Sequence, residues 1–411
     1  MTTAALRREV FAGPAPQALR EAPAALPGRP LSILHLITRL DRGGSSDCTL
    51  LQAIGAAERG HRVTVLSGPA ASPSPLLARA SAQRRLRLLA IPSLVRDVRP
   101  LRDLRALLQI AAYLRAERYD IVHTHTSKAG ALGRVAALLS GRRPIVVHQP
   151  HGHLFYGYYG KVRTALLIRA ERLLAPLAHV LIALSFRGAE EHLSRHVGRP
   201  GQFRVVRSGI DLRAFRRAPA ERGTARRRLG YREEDIVVGS LCRLEPIKGV
   251  EDLLSGFLIA SRRRPRLRLF IGGGGPLRER LLAAARSAGA AGRVTIAADW
   301  VAPEEVLPAF DLFVLASRNE GMGRALVEAM AARLPVIACA VGGVPEVLEE
   351  GRDGLLIPPA DAEAIALAIG RLADDPRLRS ELGGRARGRS VAFGAGRMVR
   401  TLLRLYLEAL R

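Results

Sequence analysis

The sequence predicts an α/β protein built from two doubly wound, Rossmann-like domains, and three observations carry that expectation. Short runs rich in Val, Ile and Leu alternate with helix-length amphipathic stretches from Leu31 onward. The rhythm restarts once, near Val206–Ala214. Glycine-bearing and charged segments fall where the strands end. Strands that are apolar throughout imply a parallel sheet covered on both faces. Ligands of such sheets collect at the carboxyl ends of the strands, so two domains facing each other place a site in the cleft between them.

Residues 1–30 mix Ala, Pro and Arg without periodicity and show neither an apolar signal-peptide core nor a cleavage pattern, so they read as a disordered leader. The first domain, 31–208, takes strands from LSILHLI, RVTVLSG, DIVHTH, PIVVH, HVLIAL and FRVV, with helices at Ser45–Arg59, Leu101–Arg118 and Ala129–Ser140. The second, 209–385, takes IVVGSLC, LRLFIGG, RVTIA, LFVLAS, PVIACA and GLLIPP, with its own helices from Lys248 to Arg371. Residues 386–411 are helical, and the last helix is expected to cross back and brace the first domain.

With 411 residues, 48% of them hydrophobic, the chain has ample material for packed cores. No run approaches the ~18 apolar residues of a membrane span. Cys48, Cys242 and Cys339 have neither disulfide nor metal spacing, which suits a reducing compartment and a cytoplasmic location. The net charge of +27 invites a nucleic-acid reading. Against it, lysine occurs 3 times in 64 basic residues, which marks a uniform arginine bias, and aromatics for base stacking make up 4%. An anionic membrane surface is the preferred partner, with no nucleic acid. Arg79 to Arg105 carries eight arginines against Asp97 and Asp103 among apolar residues. That segment reads either as a solvated surface or as a docking face for anionic headgroups or a polyprenyl diphosphate.

Four features carry chemistry. In LDRGGSSD, Gly43 and Gly44 open a helix, where backbone N–H groups can approach a phosphate or simply turn the chain. In SLCRLEPIKG, Arg243 and Lys248 flank a proline turn and can straddle a diphosphate; solvated surface cations are the alternative, which the scarcity of lysine disfavours. In NEGMGRALVEAM, Glu320 precedes and Glu328 lies inside a helix beginning near Gly323. Carboxylates accept hydrogen bonds from vicinal hydroxyls, while the N–H groups of Gly321, Met322, Gly323, Arg324 and Ala325 can meet a phosphate. Together these suit a ligand with sugar rings at either end of a diphosphate, although a charge–dipole pair would use the same residues. The fourth feature is a histidine-rich stretch holding His123, His125, His148, His151 and His153. Without HExxH or a cysteine partner a metal is not expected, and without Asp-x-Asp neither is a metal-held diphosphate. Glycine-flanked His151 is placed in the cleft, with His125, Ser127 and Lys128 as acceptor-side candidates; loop-capping histidines are the rival reading.

These motifs resemble the retaining GT-B glycosyltransferases of family 4 from Leu31 to about Gly396. The run SRNEGMGRALVEAMAARLPVIACAVGGVPEVLEEGRDGLLIPPAD is similar to that family's E-x7-E block and the elements after it. The resemblance implies that Glu320 contacts the transferred sugar and Glu328 the nucleotide ribose, that Arg243 and Lys248 hold the diphosphate, and that Gly44 belongs to the glycine loop. IPSLVRDVRPLRD, HTHTSKAGALGRVAA and HGHLFYGYYG resemble the subgroup that assembles bacterial surface polysaccharides, with His151 on the active-site histidine. Arg333 stands where the family has glycine after the E-x7-E helix, Ser208 replaces asparagine, and Gly274 replaces an acid.

The expected activity is transfer of a sugar from a nucleoside-diphosphate sugar to a hydroxyl of a lipid-linked or saccharide acceptor, with retention and without any cofactor. Catalytic roles are expected for Glu320, His151, Arg243 and Lys248, on a cytoplasmic protein touching the inner face of the plasma membrane. Rival expectations are a sugar-nucleotide 2-epimerase or hydrolase of the same fold, a nucleic-acid-binding protein, and a non-catalytic sugar-nucleotide sensor.

Overall fold

The computed structural model describes residues 29–152 and 160–411. The expected leader lies outside the described residues apart from Arg29 and Pro30, and so do His153 and the rest of LFYGYY. Arg29 is anchored: its guanidinium donates to the Asp120 carboxylate at 2.6 Å. The chain forms two compact units, one running to Gly209 and resuming with Ala395–Arg411, the other spanning Ile210–Gly394.

The first unit holds a seven-stranded sheet in the order β3-β2-β1-β4-β5-β6-β7. Its strands are β1 (Ser32–Arg39), β2 (Arg62–Gly68), β3 (Leu86–Ala90), β4 (Ile121–His125), β5 (Ile145–Gln149), β6 (Val180–Ala183) and β7 (Phe203–Val205). Every pairing is parallel, with His35 of β1 beside His123 of β4. Alternate residues of a strand face opposite sides. Ile33 and Ile37 therefore join a core with the helix α1 (Gly44–Ala57) and the C-terminal helix Ala395–Ala409. Leu34 and Leu36 pack on the other face against α2 (Pro100–Ala116) and α3 (Ser127–Leu139). β3 was absent from the sequence expectation. It is an edge strand whose arginine and partly exposed leucines lack the continuous apolar character of the inner strands.

The second unit repeats the plan with six strands, β10-β9-β8-β11-β12-β13. These are β8 (Ile236–Leu241), β9 (Leu267–Gly272), β10 (Val294–Ile296), β11 (Leu312–Leu315), β12 (Val336–Cys339) and β13 (Leu355–Ile357), again all parallel. Asp311 fixes the amino ends of its two central strands. Its carboxylate accepts from Arg222 at 2.7 Å, from the buried Arg226 at 2.6 Å and from the Val237 N–H at 2.7 Å. In both sheets the strand order reverses between two adjacent strands, β1 and β4 in one and β8 and β11 in the other, which is where open α/β sheets bind ligands.

The C-terminal segment divides later than the expected boundary at residue 386. The helix Pro376–Ser390 belongs to the second unit, and the chain joins the first with Ala395. The amphipathic helix that follows buries Met398, Val399, Leu402, Leu403 and Tyr406.

Candidate functional site

In the second unit the carboxyl end of β8 leads through Cys242 and the exposed Arg243 into a single 3-10 turn, Pro246–Lys248. Gly249 ends that turn at φ 61°, and a Cβ there would lie 2.1 Å from the carbonyl oxygen of Ala316. Glycine thus lets the loop after β8 press against the end of β11. Arg318 ties the loops together from the other side: its N–H donates to the Ile247 carbonyl at 2.9 Å and its guanidinium pairs with Asp252 at 2.8 Å.

This packing brings Lys248 to Glu320. The ammonium donates to Oε1 at 2.8 Å, and the two side chains are 12% and 18% exposed. The Ser317 hydroxyl donates to the same oxygen at 3.4 Å. The Glu320 backbone is held from behind, where its carbonyl accepts the Gly343 N–H at 3.1 Å. Gly342 adopts φ 49°, and a Cβ on it would stand 1.8 Å from that same carbonyl oxygen. Ser317 and the Gly342–Gly343 pair escaped the sequence reading of the site; the signal available for the glycines was the VGGVP stretch.

Gly321, Met322 and Gly323 form the approach to α4 (Arg324–Ala331), with Gly323 at its N-cap at φ 80°. A helix leaves the N–H groups of its first turn unpaired within itself, so those of Arg324 and Ala325 provide a partial positive charge at this end. Glu328, one turn in and 8% exposed, meets Arg324 at 3.4 Å. The structure ties Arg243 to Glu245 at 2.6 Å rather than drawing it into the Lys248–Glu320 pair. All three charges nevertheless act on the partly exposed Cys242: desolvation pushes its thiol up to about 11, Lys248 and Arg243 oppose that rise, and Glu320 adds to it. Beyond the helix, Arg333 takes φ 69°, the left-handed position for which glycine was noted as usual.

In the first unit Gly43 caps α1 at φ 144° and Gly44 is its first residue. The preceding loop is fixed by Asp41, which accepts N–H bonds from Ala71 at 2.7 Å and Ser72 at 3.0 Å. Ser127 begins α3 after Thr126, itself at φ 62°. Lys128 is committed elsewhere, pairing with Asp103 at 2.5 Å and donating to the Asp97 carbonyl. Those contacts stitch α3 to the start of α2.

His125 is buried at the end of β4 and joins two other imidazoles, His35 at 2.9 Å and His151 at 2.8 Å. His151 is partly exposed and sits at φ 63°. His123 meets the Tyr406 hydroxyl of the C-terminal helix at 2.6 Å, and His148 the Thr124 hydroxyl at 2.9 Å. Burial lowers His35 to about 3 and holds His123, His125 and His148 well below the ordinary histidine range. Near neutral pH these rings are uncharged. His35 was missed because it lies on an apolar strand far along the chain from its partners. Among the described residues, His35, His123 and His125 form the group whose ligand atoms come within 4.8 Å of one another. The directly bonded His35–His125 pair stands at 2.9 Å, the spacing of a hydrogen bond between two ring nitrogens.

Two family models divide the sequence between them: Glycosyltransferase Family 4 matches residues 42–214 and Glycosyl transferases group 1 matches residues 221–389. The chain is similar to a D-inositol 3-phosphate glycosyltransferase of Actinosynnema mirum, 31% identical over 73% of this chain and 76% of that one. It is 30% identical to the UDP-Gal:alpha-D-GlcNAc-diphosphoundecaprenol alpha-1,3-galactosyltransferase of Escherichia coli, over 71% of this chain and 76% of that one. The solved structure of Anabaena Alr3699/HepE in complex with UDP and glucose superposes with a TM-score of 0.77 at 22% identity, over 91% of this chain and 99% of that one. Two parallel-sheet units, the matched families and the shared sequence together make this chain a glycosyltransferase of the GT-B fold, and it belongs to glycosyltransferase family 4.

Proposed function

We propose that the protein transfers a hexosyl group from a nucleoside-diphosphate sugar to a hydroxyl of a lipid-linked or surface-polysaccharide acceptor, with retention at the anomeric carbon. The observation that carries the donor part is the Lys248–Glu320 pair at the carboxyl ends of β8 and β11, beside the amino end of α4. An ammonium has three donors, so Lys248 can hold Glu320 and a diphosphate oxygen together. Glu320 accepts from hydroxyls of the transferred sugar and Glu328 from those of the ribose, while Arg243 and the N–H groups of residues 321–325 take further phosphate oxygens. Gly43 and Gly44 serve the phosphates from the first unit's glycine loop, and His151 acts on the reacting sugar.

In the reaction the bond from the anomeric carbon to the diphosphate oxygen breaks and a bond to the acceptor oxygen forms on the same face. The acceptor's proton passes to the departing phosphate. No side chain is assigned as nucleophile; Lys248, Arg243 and backbone N–H groups stabilise the charge that builds on the leaving group. The lipid-linked acceptor is favoured by the activity for which the Escherichia coli relative is named.

Contact with an anionic bilayer is part of the reading. No helix among the described residues is long and apolar enough to cross a membrane. On α2, however, Leu101, Leu104 and Leu108 are exposed at 85%, 53% and 57%, with Arg102 and Arg105 exposed beside them. Spaced three and four apart, these leucines share one helix face, a combination suited to anionic headgroups.

Product analysis tests the activity. With nucleotide sugar and a polyprenyl-diphosphate-linked acceptor, nucleoside diphosphate and glycosylated lipid should appear in equal amounts. Conversion of the nucleotide sugar at the same rate without acceptor would instead identify an epimerase or a hydrolase.

A further inference from the structure

A line of three imidazoles runs from the interior of the first unit to its surface. His35 Nδ1 lies 2.9 Å from His125 Nε2, and His125 Nδ1 lies 2.8 Å from His151 Nε2. The rings stack along the way, with centroids 5.2 Å apart at 20° for the inner pair and 5.0 Å apart at 28° for the outer pair. His35 and His125 are fully buried, and desolvation keeps both uncharged. A neutral imidazole has one N–H, so a ring bonded at both nitrogens donates through one and accepts through the other. The two bonds must therefore run in the same direction, and that direction fixes the tautomer of every member.

The inner end sets the direction. Among the described residues, His35 Nε2 is buried without a hydrogen-bond partner. Were the bonds to run inward, His35 would carry its proton there, as a buried N–H with nothing to receive it, and such orphaned donors are rare because they are costly. Running outward, His35 Nδ1–H donates to His125 Nε2, and His125 Nδ1–H donates to His151 Nε2. The proton of His151 is then on Nδ1.

We propose that His125 and His35 are positioning residues that hold His151 as its Nδ1–H tautomer, so that the ring offers a fixed donor to a sugar or acceptor oxygen. The proposal rests on the assignment of His151 to the reacting sugar. The φ of 63° at His151 supports it, because a left-handed backbone at a non-glycine residue persists where the surroundings hold it, and it sets the ring's point of departure. A relay of this kind gives side-chain precision to a residue on a loop by tying it to the two central strands of the sheet.

The test uses the full chain with its ten histidines labelled with nitrogen-15. Long-range proton–nitrogen correlation reads the tautomer of each ring, with His151→Gln identifying its signals. His125→Asn keeps an amide group near the place of Nδ1 and so retains the bond to His151. His125→Gln puts the amide near the place of Nε2 and loses that bond. The expected result is Nδ1–H for His151 in the unaltered protein and in His125→Asn, and a mixture of tautomers in His125→Gln. In His125→Gln kcat should fall roughly 10–100-fold, by analogy with the loss of the ring partner of a metal-bound imidazole, with the donor KM unchanged; His125→Asn should restore most of it. An Nε2–H tautomer for His151 in the unaltered protein would overturn the proposal whether or not the variants fold, as would equal kcat in the two variants. Full turnover by His151→Ala is a separate outcome: it would withdraw His151 from the reaction and with it the positioning role, while leaving the measured tautomers intact.

Discussion

At the scale of single residues, Lys248 carries the most consequential charge of the second unit's candidate site. Its ammonium is partly buried against Glu320, so removing it leaves a carboxylate without its cation and, on the proposed function, a leaving diphosphate without a donor. Lys248→Met should lower kcat/KM by about 10²–10³, equivalent to ~2.7–4 kcal/mol of transition-state stabilisation, as for loss of one oxyanion donor. Initial-rate kinetics on the folded variant check this, and near-normal turnover would remove Lys248 from the chemistry. The importance of this lysine could be suspected from the sequence, since it is one of three, and the positive φ of Arg333 could be expected because the family it resembles has glycine there. Two features could not be read that way. The bond from Arg243 to Glu245 is a choice between neighbouring partners that depends on how the loop turns. His35 looks like one more residue of an apolar strand until β4, ninety positions later, is laid beside it.

At the scale of elements, the strand-end loops are set by backbone contacts that have no local signature. VGGVP reads as an ordinary turn, yet Gly342 lies with its α-carbon against the Glu320 carbonyl. Gly342→Ala would place a methyl group 1.8 Å from that oxygen at a φ of 49°. The substitution should displace the Glu320 loop and cost at least about 10-fold in kcat/KM, together with roughly 1–2 kcal/mol of stability from the left-handed backbone. Kinetics and chemical denaturation of this variant report the two effects separately, and unchanged kinetics would show that the clamp does not position Glu320. The inner strands were legible because burial on both faces makes them continuously apolar. β3 was not, because an edge strand with one wet face can carry Arg87, which pairs with Glu117. The same wet, basic composition had made its segment look like a surface patch alone.

At the scale of the whole molecule, the fold was legible because two rounds of strand and helix in one chain leave few alternatives, and the order of strands then decides where residues from distant motifs converge. The buried histidines give the first unit a pH signature. A histidine whose folded-state value is depressed binds its proton in the unfolded chain first, so between the two values the unfolded chain holds more protons and stability rises with pH. For His35 the window runs from about 3 to 6.5, and His123, His125 and His148 shift in the same direction. Acidification below pH ~6.5 should therefore destabilise the protein by up to ~1.4 kcal/mol per pH unit for each such histidine. Denaturant titrations at a series of pH values check this, and a flat profile from pH 6.5 to 5 would mean that these rings are not buried neutral in solution.

Ligand-dependent unfolding tests most directly whether the strand ends of the second unit grip an activated sugar. A nucleoside-diphosphate sugar at about 100 times its dissociation constant adds ~2.7 kcal/mol to the folded state, which for a unit of this size corresponds to a rise in Tm of roughly 5–10 °C. In a panel of nucleoside-diphosphate sugars, at least one should produce that rise in the unaltered protein and a much smaller one in Lys248→Met. No rise with any member of the panel, or an equal rise in the variant, would contradict the account.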